Sequence, residues 1–292
     1  MSELGWIGCG VMGASMAEKL LRAGHDLRVH TRTRSRAQAL IDAGAIWVDS
    51  PREAAEGVEA VFSIVGYPED VEAVHLGPSG TLAAAEAPGF LIDLTTSDPD
   101  LAIRIHGRAE ERSTVAFDAP VSGGDVGARQ GTLSIMVGGQ EEKFDSIRPW
   151  LELMGGTIVL QGGPGAGQKT KIVNQILVAA SMVGACEALR FTEAAGLDPR
   201  RVLESVSSGA AGSWTLSNLV PRILEGDYEP GFFVEHFVKD LGIAIRSARS
   251  LGLDLPGLEH AESLYRAVEA AGHGRKGTQA LDLHLQETCR TS

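Results

Sequence analysis

Lys171 is followed three residues later by Asn174 and four later by Gln175, in a stretch that opens Gly165-Ala166-Gly167-Gln168 and then continues almost without charge until Glu187. On a helix this spacing turns the ammonium and the two amides to one face. Lys169 points about 200° away, at about 100° per residue. A helix start disfavours an added positive charge, because the macrodipole is positive there. A lysine held in such a place can give up and recover a proton. Lys171 is therefore the candidate general acid or base, and Asn174 the group that orients it or its substrate. Gln175 is a second amide for substrate binding. A solvated first-turn lysine has the same local spacing, so the remaining motifs must decide.

Gly8-Cys9-Gly10-Val11-Met12-Gly13 stands between a short apolar run and an amphipathic stretch. Glycines in this G-x-G-x-x-G pattern serve a tight turn, close approach of a pyrophosphate, and close packing of the next helix. The phosphates then rest on the helix N-terminus, which makes Gly8, Gly10, Val11, Met12 and Gly13 dinucleotide-binding candidates. The second β-like run ends at His30-Thr31-Arg32-Thr33-Arg34, and no acid occurs between Asp26 and Asp42. An NAD-selective site places Asp or Glu there for the ribose hydroxyls. Arg32 and Arg34 suit a 2′-phosphate instead, with Thr31 and Thr33 as hydrogen-bonding neighbours. NADP(H) is the preferred cofactor on this reading, with NAD(H) possible.

Three further loops end predicted strands. Val65-Gly66-Tyr67-Pro68 is placed beside the nicotinamide ribose, although a plain strand-to-helix turn has the same sequence. Thr96, in Asp93-Leu94-Thr95-Thr96-Ser97, either reaches the cofactor or caps the following helix. Ser122, Gly123 and Gly124, in Asp118-Ala119-Pro120-Val121-Ser122-Gly123-Gly124, offer a hydroxyl and unobstructed amides that suit a carboxylate. Lys239-Asp240, in Phe237-Val238-Lys239-Asp240-Leu241, reads on residue chemistry alone as a surface ion pair. Trp214, Phe232, Phe233 and His236 suit either a pocket lining or core packing.

These groups need a scaffold. Strands are predicted at 4–7, 26–30, 46–48, 60–65, 90–94, 115–118, 133–137 and 157–160, with amphipathic helical stretches between them such as 12–23 and 35–43. Ser50-Pro51-Arg52-Glu53 has the form of a capping box with proline at the first helical position. The alternation predicts an α/β, Rossmann-type doubly wound, mostly parallel sheet. Beyond about residue 165 the strand pattern stops. Helices are expected near 168–195, 198–206, 213–225, 236–251, 257–271 and 278–287, the first a long interdomain helix buried on most sides. The expected domains are 1–164, binding NADP, and 165–292, an all-helical substrate and oligomerisation domain.

The 292 residues carry a formal net charge of −12 and no basic stripe, which argues against a nucleic-acid partner. No unbroken run approaches the roughly eighteen apolar residues of a membrane span, and no signal-peptide pattern opens the chain. Cys9, Cys186 and Cys289 have neither metal-ligand spacing nor an even count. No metal is expected, and a reducing, cytoplasmic setting fits.

Together the motifs resemble the β-hydroxyacid dehydrogenase family, which includes 3-hydroxyisobutyrate dehydrogenases, tartronate semialdehyde reductases and glyoxylate/succinic semialdehyde reductases. The likeness runs through the cofactor motif from Gly8 to Met16 and the Asp93, Thr95, Thr96 motif, where threonine replaces the usual serine at 95. It continues through the Asp118–Gly124 loop, Gly127-Ala128 and Gly131-Thr132-Leu133. Gly165, Gly167, Lys171 and Asn174 match the catalytic helix, and Lys239 to Leu241 a final motif. Gln175 departs from the family's usual second asparagine. The resemblance implies Lys171 as acid/base, Ser122, Gly123 and Gly124 on the substrate carboxylate, and Lys239 near the cofactor. It implies a small carboxylate-bearing aldehyde or hydroxyacid as substrate, and a homodimer or homotetramer with the long helix near its interface. An imine reductase on the same architecture and a non-catalytic dinucleotide-binding protein are the alternatives; Lys171 counts against the first, and the presence of both Lys171 and Ser122 against the second.

Overall fold

The computed structural model describes residues 1–289. They divide into two compact units, Met1–Lys171 and the chain from Ile172 onward, so the division falls within the long helix, seven residues beyond the expected start of the second domain.

In the first unit the strands are β1 (Glu3–Ile7), β2 (Asp26–His30), β3 (Ile46–Trp47), β4 (Ala60–Ser63), β5 (Phe90–Asp93), β6 (Val115–Asp118), β7 (Val121–Ser122), β8 (Leu133–Gly139) and β9 (Gly155–Gly162). The helices are α1 (Val11–Arg22), α2 (Gln38–Asp42), α3 (Pro51–Ala55), α4 (Pro68–Leu76), α5 (Pro99–Glu110), α6 (Gly124–Gln130), α7 (Glu141–Leu151) and the first turn of α8 (Ala166–Ala194). The sheet order is β3-β2-β1-β4-β5-β6-β8-β7, with β9 paired to β8. The six strands β1 to β6 pair in parallel. The order reverses at β1, and open α/β sheets bind their ligands at such a reversal, beyond the carboxyl ends of the strands.

One part of the sheet was not anticipated. β8 runs antiparallel to β6 and β7 while pairing in parallel with β9. β7 has two residues, too few for any alternation to register in sequence.

Alternation within each strand assigns side chains to the two faces of the sheet. Leu4, Trp6, Phe62, Ile92 and Phe117 join one cluster, where Phe62 meets Trp150 of α7 edge-on. Ile7, Val61, Leu91 and Ala116 join the other, against α3 and α5. The capping box forms in altered style. Ser50 Oγ accepts from the Glu53 amide at 3.2 Å, but the Glu53 carboxylate takes the Asp49 amide rather than that of Ser50.

The second unit packs α9 (Pro199–Ser207), α10 (Trp214–Asn218), α11 (Val220–Leu224), α12 (Val234–Ser250), α13 (Pro256–Val268) and α14 (Leu281–Thr288) with the remainder of α8. The single helix expected over 213–225 is two, because Pro221 has no amide hydrogen to continue the ladder. Met182, Cys186 and Leu189 of α8 enclose a core with Phe237, Leu241, Tyr265, Leu281 and Leu285. α8 also contains an 18-residue window of mean hydropathy 1.6, long and apolar enough by composition to cross a membrane. Reading by unbroken runs does not find it, because Asn174, Gln175, Ser181 and Gly184 interrupt the run while isoleucine, valine, leucine and alanine keep the average high.

Candidate active site

The glycine motif has the three expected geometries. Gly8 adopts φ +100°, and a Cβ there would lie 2.0 Å from the Ile64 carbonyl oxygen. A Cβ on Gly13 would lie 2.1 Å from the Gly8 oxygen, so α1 approaches the sheet at backbone contact. At Gly10 an added Cβ meets nothing within 4 Å. The space beside Gly10 is therefore open. No side chain caps α1, and its first turn carries no acid, so its N-terminal amides and dipole face that space. This arrangement fits a pyrophosphate, held by Gly8, Gly10, Val11, Met12 and Gly13.

At the end of β2, Thr33, Arg32 and Arg34 are exposed. Arg34 lies over the Trp47 ring, 5.4 Å from its centroid. Arg32 meets an acid the sequence reading did not consider: its Nη1 is 3.0 Å from Asp70 Oδ1. Asp70 is fixed in turn, because its other oxygen accepts the Tyr67 amide at the start of α4. The Pro68-Glu69-Asp70 sequence, with an acid at the third helical position, was the available signal.

A buried chain of hydrogen bonds shapes the next two loops. Ser63 donates to Asp93 Oδ1 at 2.7 Å, and Thr95 donates its amide to the same oxygen at 3.2 Å. Ser63 has spent its only hydrogen, so it accepts from His75 Nε2, 2.9 Å away, and Thr81 donates to His75 Nδ1 at 3.0 Å. Burial lowers the His75 pKa to about 3, which keeps the ring neutral. The Thr95 hydroxyl then accepts the Val65 amide at 3.0 Å, tying the loop after β4 to the loop after β5. Thr95 is thereby buried, while Thr96 and Gly66 remain half-exposed at the carboxyl ends of the strands.

Ser122 ends β7 opposite Ser134, and Gly123 and Gly124 follow at φ +132° and +63°. Two successive residues in the left-handed region explain the glycine pair. The turn leads into α6, and Gly127 lets that helix pack against Leu133.

The first turn of α8 is held by a residue to which the sequence alone assigns no role. Asp118, at the end of β6, accepts the Gly165 amide on Oδ1 and the Gln168 amide on Oδ2, both at 2.8 Å. Burial raises its pKa to about 7, the backbone amides of Gln168, Gly165 and Asp118 itself oppose the rise, and Asp93 nearby adds to it. Gln168 completes the attachment, donating to the Thr95 carbonyl at 2.7 Å and accepting the Ser97 amide at 2.9 Å. Lys171 follows within the same turn, only 6% exposed.

In the helical unit, Asn174 is half-buried and donates its Nδ2 to Gln175 Oε1 at 2.7 Å. Gln175 is 2% exposed and donates its Nε2 to Asp240 Oδ2 at 2.6 Å. Gln175 thus bridges Asn174 and Asp240 through the two ends of its amide. Lys239 and Asp240 of α12 do form an ion pair, with Nζ 3.0 Å from Oδ1, but Asp240 is 2% exposed, so the pair is not a surface feature. Phe232 packs edge-on against Phe237 and Phe233 against His236, whereas Trp214 is 62% exposed.

Two family models cover the chain: the NAD-binding domain of 6-phosphogluconate dehydrogenase over residues 3–163, and the NAD-binding domain of NADP-dependent 3-hydroxyisobutyrate dehydrogenase over 165–283. The probable 3-hydroxyisobutyrate dehydrogenase-like 1, mitochondrial, of Arabidopsis thaliana is 48% identical, with 98% of this chain and 85% of the relative aligned. The 2-hydroxy-3-oxopropionate reductase of Escherichia coli (strain K12) is 38% identical over 96% of this chain and 95% of its own. Among solved structures, a Mycobacterium tuberculosis 3-hydroxyisobutyrate dehydrogenase with L-serine superposes with TM-score 0.89 at 30% identity, covering 100% of both chains. The chain belongs to the β-hydroxyacid dehydrogenase family. It is an NAD(P)-dependent hydroxyacid dehydrogenase.

Proposed function

We propose that the protein uses NADPH to reduce a small aldehyde or ketone bearing a carboxylate, a semialdehyde of the 3-hydroxyisobutyrate, tartronate or succinic type, with Lys171 as general acid. The bound cofactor supplies hydride to the carbonyl carbon. Lys171 gives a proton to the developing alkoxide, and in the oxidative direction takes one from the hydroxyl. Asn174 orients Lys171 or the reacting oxygen. Ser122 and the amides of Gly123 and Gly124 hold the carboxylate, and Lys239 approaches the cofactor. The observation that carries this reading is the burial of Lys171 shortly after a helix start anchored by Asp118. An imine reductase shares the architecture, but the lysine gives this chain a proton donor suited to an alkoxide. Val173, Leu177 and Phe191, exposed along α8, support a homodimer or homotetramer. Initial rates with glyoxylate, succinic semialdehyde, methylmalonate semialdehyde and tartronate semialdehyde, each with NADPH and NADH, test the proposal. Absence of turnover with all four sinks it.

The NADP preference rests on Arg32 and Arg34 and on the lack of an acid at the end of β2. A 2′-phosphate competes with Asp70 for Arg32, since both are anions seeking one guanidinium. Arg32→Asp is expected to weaken NADPH binding at least about tenfold, the loss of one charge-assisted hydrogen bond. Asp70→Asn is expected to strengthen NADPH binding and leave NADH unchanged. Fluorescence titration of both cofactors reads both variants, and unchanged NADPH affinity in Arg32→Asp would remove the arginine from the site.

Ser122→Ala is expected to raise KM for a carboxylate substrate about tenfold or more, the cost of a hydrogen bond to a charged group. A neutral aldehyde of similar size has no carboxylate to hold and keeps its already low kcat/KM. Equal losses for the acid and the neutral aldehyde would mean that Ser122 serves the loop or the chemistry instead.

A further inference from the structure

Resting on the role just given to Asn174, we propose that Gln175 is a positioning residue that fixes which end of the Asn174 amide faces the reaction. The chain of hydrogen bonds begins at Asp240. A carboxylate ion-paired to Lys239 can only accept hydrogen bonds, so the group 2.6 Å from its Oδ2 must be the amide nitrogen of Gln175. That choice fixes the opposite end of Gln175 as the carbonyl oxygen, which is an acceptor. The group 2.7 Å from it must then be a donor, the amide nitrogen of Asn174. The direction of the whole chain follows from the one carboxylate. Asn174 therefore spends its NH2 inside the helical unit and presents its carbonyl oxygen elsewhere. Three residues after Lys171 on α8, a presented acceptor can take an N–H of the ammonium or the hydroxyl of a hydroxyacid. A presented NH2 would repel the ammonium. Reversing the amide thus changes how readily Lys171 holds its proton.

An asparagine at 175 is one methylene shorter and could not reach Asp240 and Asn174 with the same geometry. The departure noted in the sequence is, on this account, an adaptation of the helical unit and leaves the choice of substrate to other residues.

Gln175→Met keeps the volume of the side chain and removes both hydrogen bonds. Using whichever of the four aldehydes turns over fastest, kcat is expected to fall about tenfold while NADPH affinity changes less than twofold. The alkaline limb of the kcat–pH profile is expected to move down by about one unit, since a hydrogen bond that favoured the protonated lysine is lost. Gln175→Met combined with Asn174→Leu is expected to be no worse than Asn174→Leu alone, because the first residue acts through the second. Multiplying defects, or an unmoved pH profile, would overturn the inference and leave Asn174 in place. Wild-type kcat in Asn174→Leu would instead overturn the role of Asn174 itself. Should Gln175→Met fail to fold, Gln175→Glu serves. In its protonated form it donates to Asp240 and accepts from Asn174 as glutamine does, so its activity should match the wild type at low pH and fall away as the carboxyl ionises. A profile parallel to the wild type would count against the proposal.

Discussion

Lys171→Ala is expected to lower kcat by about 10²-fold or more while NADPH affinity stays within about twofold. Lys171 is 6% exposed, so bulk water has little access to stand in as proton donor. The cofactor cradle at Gly8, Gly10 and Gly13 lies at the end of β1 and owes nothing to this side chain, which is why binding and turnover should separate. KM should change little, because the interaction removed is realised as charge develops on the reacting oxygen. A variant keeping a third of the wild-type kcat would end the acid/base assignment. The measurement is steady-state kinetics in the reductive direction beside a direct cofactor titration.

Gly10→Ala should cost at least about tenfold in NADPH affinity with no change in Tm, whereas Gly13→Ala should lower Tm. The contrast comes from what each new methyl would meet. Beside Gly10 there is no protein atom within 4 Å and the backbone is in an ordinary region, so the free protein tolerates alanine. The same methyl occupies the approach of the pyrophosphate and lengthens its charge-assisted bonds to the amides of α1, each worth roughly 1.5–3 kcal/mol. The Gly13 methyl instead strikes the Gly8 carbonyl oxygen at 2.1 Å and must move α1 itself. Thermal melts of both variants with and without NADPH separate the two effects. A destabilised Gly10→Ala would show that this glycine serves the fold and not the ligand.

The units of regular structure were legible in sequence where a period or a breaker marked them. β2 and β6 were read to the residue, because apolar alternation is bounded there by turn signals. β7 and the antiparallel arrangement around β8 left no local mark, since strand direction is set by pairing over long separations. The glycine motif and the lysine-bearing start of α8 were legible because each is a fixed spacing within a short window of the chain. Asp70, Asp118 and Asp240 were not assigned roles, because each acts on a partner 38, 47 or 65 residues away, a relation that no short window contains. Gln175 was noticed for its length, but the direction in which it points is decided by Asp240 on another helix.

Gly138 and Gly167 face one another where β8 meets the start of α8. A Cβ on Gly167 would lie 2.4 Å from the Met136 oxygen and 2.5 Å from the Asp118 oxygen, and a Cβ on Gly138 would lie 2.6 Å from the Gly167 nitrogen. Asp118 Oδ1 also stands 2.6 Å from the Gly138 Cβ, but the other near obstacles there are main-chain atoms, present whatever the neighbouring residue type. A crowded side chain can be relieved by shrinking its neighbour, but here no second-site change removes the obstruction. The two positions are therefore closed to stepwise variation and to redesign by repacking alike. Engineering of this chain must leave this junction as it stands.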